Sequence, residues 1–149
     1  MLKSIVPLLL CAAAIGTRMP DLFEGCVRET DDNAWPGGCT LVPDVLGNQS
    51  FAKYAQQILM TPALQPRTGY LNALLGMTRV AFQPSADGSD ETIIRAEFAT
   101  ARSACIHRVA YSTASCPPAV SKPNGVCQAR YSMYHGSMIL QHAWCKPLE

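Results

Sequence analysis

Six cysteines in the body of the chain limit what it can fold into more than any other feature. Cys105, Cys116, Cys127 and Cys145 crowd the last third, with ten residues between the first two and seventeen between the last two. Cys26 and Cys39 stand apart near the front. A seventh, Cys11, falls in a stretch that reads as a secretory leader: Lys3, an apolar run from Ile5 to Ile15, and the small-x-small site Ala14-Ile15-Gly16. That run is too short to cross a bilayer. Residues 1–16 are therefore expected to be a signal peptide, and the protein to be secreted and extracellular. Its removal leaves an even set of cysteines in an oxidising compartment, where disulfides persist. Six cysteines allow many pairings, and counting does not choose among them. Joining sequence neighbours, 26–39, 105–116 and 127–145, is the simplest choice. Each bridge would then close a short loop and contribute about 3 kcal/mol. Zinc is the competing use of cysteine, but no C-x₂-C pair exists, so neither metal nor cofactor is expected.

The whole chain, 149 residues, fits one domain, and 48% hydrophobic residues permit a core. Net charge is +1 with 12 scattered basic residues, so neither nucleic acid nor a membrane surface is an expected partner. Residues 17–47 read as an irregular, disulfide-tethered arm, rich in acids, proline and glycine. Within it Trp35 is either an exposed contact residue or a lid on the core. Residues 48–149 read as the folded domain. Phe51, Tyr54, Ala55, Ile58 and Leu59 form one apolar stripe at helical spacing, which predicts a helix from Phe51 to about Met60. Asn48 or Ser50 can cap its start, and Pro62 ends it. Asn48-Gln49-Ser50 is also a glycosylation sequon. Period-two alternation predicts strands over 77–83 and 92–101, joined by a polar turn; a further strand is expected near 106–111, and two more around 128–134 and 137–144, hinged at Gly136. One helix followed by strands without intervening helices predicts an α+β fold. In it a single helix packs on an antiparallel sheet, because parallel pairing would require crossovers.

The residues give no sign of catalysis. His107, His135 and His142 share no metal-ligand spacing, and no nucleophile elbow, phosphate loop or dinucleotide fingerprint occurs. Paired cysteines leave no thiol to act as nucleophile. The expectation is a binding protein and not an enzyme.

From about Gly37 to Cys145 the chain resembles the secreted, type 2 cystatins, a family of cysteine protease inhibitors. Gly37-Gly38 resembles the glycine of that family's arm, and Phe51 to Met60 its helix. Val80-Ala81-Phe82-Gln83 leads to the position of the first inhibitory loop, usually Q-x-V-x-G. Met133-Tyr134-His135-Gly136-Ser137-Met138 resembles the second, usually P-W-x-G-T-M, and the interval from Cys105 to Cys116 has the family's common length. The resemblance implies one long helix packed on a curved antiparallel sheet of about four to five strands. It implies noncovalent wedging into the cleft of papain-like cysteine proteases of cathepsin L or B type. The wedge would comprise Gly37, Gly38, the loop Gln83, Pro84, Ser85, Ala86, Asp87 and Gly88, and the turn Met133, Tyr134, His135 and Gly136. A monomer is expected, although such folds can swap the helix and first strand through the first loop. Three departures stand out. The first loop is about four residues longer than the family's norm and carries Asp87, Asp90 and Glu91. Met133 and Tyr134 replace proline and tryptophan, and the Ser-Asn-Asp of a legumain-directed site is absent. A secreted cystatin-fold binding protein without inhibitory activity is the alternative.

Overall fold

The structure, a computed structural model, describes residues 19–31 and 37–149; the expected leader, its expected cleavage site and Trp35 lie outside them. The helical run opens with a 3-10 turn, Gln49–Phe51, in which Asn48 Oδ1 accepts from the Ser50 backbone N–H at 3.0 Å. It continues as α1, Ala52–Leu59, two turns where a long helix was expected. Pro62, lacking an N–H, stops it, and Thr61 Oγ1 donates to the free Gln57 carbonyl at 2.8 Å. Tyr54, Ala55, Ile58 and Leu59 are buried, which is the predicted stripe.

That stripe packs on a six-stranded sheet in sequence order: β1 (Val27–Arg28), β2 (Thr40–Leu41), β3 (Tyr70–Pro84), β4 (Thr92–Ile106), β5 (Gly125–Tyr134) and β6 (Ser137–Pro147). Every pair is antiparallel except β1 with β2. Strand alternation sends Val80 of β3, Ile94, Ala96 and Phe98 of β4, and Cys127, Ala129 and Tyr131 of β5 to the helix side. Tyr131 is wholly buried, and its hydroxyl finds its partner by donating to the Tyr54 carbonyl at 2.6 Å. Burial pushes its phenol far above the ordinary value, so it stays neutral and acts as a donor. The three bridges join Cys26 to Cys39, Cys105 to Cys116 and Cys127 to Cys145.

No separate strand forms over 106–111. β4 runs five residues beyond the expected end, to Ile106, and the chain then turns, with the Val109 N–H on the Ile106 carbonyl. Ile106 and Val109 are exposed, so a strand there would bury little that could offset its ordering. The expected first strand likewise begins earlier, at Tyr70.

The arm is less irregular than its composition suggests. Its described residues cross the sheet face opposite the helix, and β1 and β2 extend the sheet at the β3 edge. The Pro20 carbonyl accepts from Trp144 Nε1 at 2.8 Å, and the Leu22 N–H donates to Gln128 Oε1 at 2.8 Å. Phe23 is buried with Ala81 beneath the Arg79 guanidinium, 4.3 Å from the ring centroid. Glu97 on β4 sits at the centre of this contact. It accepts from Arg79 Nε at 2.9 Å, Arg79 Nη2 at 2.5 Å, Thr78 Oγ1 at 2.8 Å and Gln128 Nε2 at 2.7 Å. Arg79 and Gln128 also reach Asp21, at 3.3 and 3.0 Å.

Burial pushes the Glu97 carboxyl up, but the hydrogen bonds and charge of Arg79, with Gln128 and Thr78, outweigh it and hold the group below its ordinary 4.5. Asp21 is lowered in the same way, burial being outweighed by the Phe23 N–H, Gln128 and Arg79. A carboxylate lowered on folding adds stability above its unfolded value and loses it as pH falls through the folded one. The arm should therefore loosen in acid, below the ordinary 4.5 of Glu97. Trp144 emission in a Trp35→Phe background, followed from pH 7 downward, should report that release. Glu97→Gln should flatten the transition and lower stability at neutral pH by about 2 kcal/mol, measured by urea unfolding.

Candidate functional site

Two hairpin ends and the Gly37 turn meet at one end of the sheet. β3 and β4 close around Ser85–Glu91, where the Ser85 N–H donates to the Glu91 carbonyl at 3.0 Å. Within that loop Asp87 organises its own turn: Oδ1 accepts from the Ser89 N–H at 2.9 Å and from the Ser85 hydroxyl. These hydrogen bonds, the Ser85 hydroxyl foremost, lower the carboxyl to about 2. Asp87 is thus charged throughout the physiological range, and it is fully open to water.

β5 and β6 join through a two-residue turn, His135-Gly136, with φ of 48° and 78°. Positive φ at both central residues marks the turn whose twist matches that of paired strands. Glycine adopts it freely, whereas His135 is held there by the pairing of Tyr134 with Ser137. Tyr134 is half exposed, its ring edge-on to His135 with centroids 4.1 Å apart. Met133, one position earlier, turns partly into the core.

Contacts tie the three segments together. Thr92 pairs with Met133 across β4 and β5, and Ser132 Oγ donates to Glu91 Oε1 at 2.9 Å. At the tips, His135 Nε2 lies 3.8 Å from Asp90 Oδ2. On the other flank Gln83 Nε2 donates to the Gly37 carbonyl at 3.5 Å, and Gly37 faces Ala86 closely enough that a Cβ would stand 3.9 Å from its Cα. All the candidate residues from Gly37 to Gly136 thus fall along a single edge, in the order arm, first loop, second turn. Gly38 is the exception in exposure, being buried, so Gly37 is the glycine left partly open. Ser132 and Glu91, which connect the loops, were not singled out as partners in the sequence. Nothing in the alternation of either strand shows that a polar residue at its end will meet the neighbouring loop.

Compared as a sequence, the chain matches no family model and no curated protein. Compared as a structure, it is similar to mialostatin, a gut cystatin of the hard tick Ixodes ricinus. The TM-score is 0.54 and the identity 20%, over 69% of this chain and 94% of that one. A salivary cystatin of the soft tick Ornithodoros moubata aligns with a TM-score of 0.55 and 18% identity, over 75% of this chain and 99% of the other. Mouse fetuin-B, solved in complex with crayfish astacin, aligns at 0.55 and 16% identity, over 73% of this chain but 36% of fetuin-B. At these identities the likeness establishes the fold.

Gly136 tests whether the second turn is as tight as its angles indicate. A Cβ there would touch nothing within 4 Å, so Gly136→Ala meets only the backbone penalty of positive φ. That penalty should lower stability by about 1 kcal/mol in urea melts. Gly76→Ala, in open space without positive φ, should be neutral or mildly stabilising.

Proposed function

We propose that this chain, whose fold is that of the cystatins, is a secreted inhibitor of papain-like cysteine proteases of the cathepsin L or B type. It acts as a noncovalent wedge and carries out no chemistry of its own. The observation behind this reading is the shared rim: Gly37 against Ala86 and Gln83, and Asp90 and Glu91 against His135 and Ser132. A wedge needs such alignment, since loops already held in place lose little freedom on entering a preformed groove. Tyr134 is the anchor in this reading, a half-exposed aromatic ring at the apex of a rigid turn. Gly37, in left-handed backbone and pinned by Gln83, brings the arm up to the first loop.

The charge of the first loop works against the same fit. Asp87, Asp90 and Glu91 would have to lose water in an apolar cleft. Asp87, at about 2, stays ionised even in an acidic compartment. This acidity favours the second reading, a cystatin-fold binding protein that engages a different partner through the 87–91 loop. The likeness to fetuin-B, a structure solved in complex with crayfish astacin, is compatible with it. Extracellular location is supported by the three bridges. Asn48, exposed beside Ser50, is the proposed glycan attachment point, to be checked by the mass lost on glycosidase treatment of secreted protein.

Titration of the mature, oxidised protein against cathepsin L-type and B-type proteases separates the two readings. Inhibition should be submicromolar, and Tyr134→Ala should weaken it by about thirtyfold, as for a central aromatic anchor. Asp87→Asn with Asp90→Asn keeps the turn's acceptor oxygens and removes charge, so it should tighten binding. Weaker binding would mean that the carboxylates meet basic groups on the protease. No inhibition at about 10 μM would replace the inhibitor reading with the second one.

A further inference from the structure

On the sheet face opposite the helix, two arginines and a histidine stand side by side in one row across β4, β5 and β6. Arg95 of β4 stands directly across from Arg130 of β5, and Arg130 directly across from His142 of β6. Facing positions of this kind place Cβ atoms about 5 Å apart, where like charges repel. Arg95 is only 8% exposed, and its Nη1 has a disulfide sulfur, Cys39 Sγ, at 3.1 Å. Sulfur is a weak acceptor and carries no charge to offset the guanidinium. The Arg130 Nε–H is buried with no hydrogen-bond partner among the described residues.

Among the described residues no acid answers this charge. The ion pairs among them are Arg79 with Asp21 and Arg79 with Glu97, and Asp90 lies beside His135 at the loop tips. Glu97, one row along, is taken by Arg79, Thr78 and Gln128, and Glu91, one row the other way beyond Ile93, by Ser132. Burial and the nearby Arg130 both act against the charged form of Arg95. Arginine nevertheless does not release its proton in proteins, so the two charges persist. A buried cation normally has a counter-ion.

We propose that Arg95, Arg130 and His142 form a binding site for a tetrahedral dianionic oxyanion, a sulfate or phosphate group. Two fixed positive charges match a dianion, whereas a single carboxylate would neutralise one. Guanidinium forks present parallel N–H pairs suited to such oxygens. Arg130 is half-buried and His142 exposed, so the row opens toward β6, and the imidazole supplies a third polar contact at the mouth. Cys39 links Arg95 to the arm, so an anion here would also fasten the arm to the sheet. This site is independent of protease inhibition and stands or falls separately from it.

The test is nitrogen-detected NMR of arginine side chains in the mature, oxidised protein, titrated with sodium sulfate against sodium chloride of matched ionic strength. Sulfate should shift the Arg130 Nε–H and the Arg95 signals saturably, while exposed Arg28 stays still. Arg130→Gln should weaken sulfate binding about tenfold or more. If that variant fails to fold, Arg130→Lys, which keeps charge but not the fork, should show the loss instead. A sulfated disaccharide compared with its desulfated form identifies the source: tighter binding than inorganic sulfate indicates a glycan ester, equal binding the free ion. Identical responses to sulfate and chloride would overturn the site. So would unchanged affinity in both Arg130 variants, or immobile Arg95 and Arg130 signals, which would mean that the chain neutralises them itself.

Discussion

β4 alternates Ile94, Ala96 and Phe98 on one side with Arg95 and Glu97 on the other, and both halves of the molecule are assembled on that alternation. The apolar side receives the helix. The polar side receives the arm, through a carboxylate that four protein donors surround. A one-residue slip of β4 would exchange the two sets, exposing Phe98 and burying Glu97 without its partners. Register in this strand is therefore under strong control. Pairing along nearly its whole length with β3, and with β5 from Thr92 to Thr100, transmits that register to both loops.

The rim follows from strand length as much as from loop sequence. β3 ends at Pro84 and β5 at Tyr134, and Gln83 and Ser132 both pair with Ile93. Both turns consequently project from the same level of the sheet. The arm reaches that level because Cys39 is bonded to Cys26 and continues directly into β2, whose Thr40 pairs with Phe82. Gly37 and Gly38 then stand beside the first loop. Position here is a property of pairing, and the loops are free to vary in chemistry without moving.

Much of this was legible in the sequence. The helix showed itself through the i, i+3, i+4 spacing of Phe51 to Leu59, and the long strands through period-two alternation. Short bridges between cysteine neighbours were the simplest pairing and are the observed one. The residues between Ile106 and Tyr111 misled because Ile106 and Val109 favour strands by type but have no surface to cover and stay exposed. The arm misled differently. Pro20-Asp21-Leu22-Phe23 reads as loop composition, and its fit to Trp144, Gln128 and Ala81 depends on contacts more than fifty residues away. No local pattern encodes such contacts. The rim residues were named through resemblance to a family, and the links between them, Glu91 with Ser132 and Asp90 with His135, emerge only once the strands are aligned.

A tethered arm and an acidic loop pull binding in opposite directions, and their magnitudes differ in kind. Holding the arm by a bridge, a buried Phe23 and the Glu97 cluster removes most of the ordering that a flexible segment would undergo on docking. That gain is independent of the partner. The penalty from Asp87, Asp90 and Glu91 depends wholly on what they meet: it is severe against an apolar cleft and reversed against a basic one. The exposure of Asp87 and Asp90 and the ionisation of Asp87 keep that choice fixed across ordinary pH. In the proposed binding role, a scaffold of this construction would present a rigid edge whose affinity is set by geometry and whose selection of partner is set by the electrostatics of a single loop.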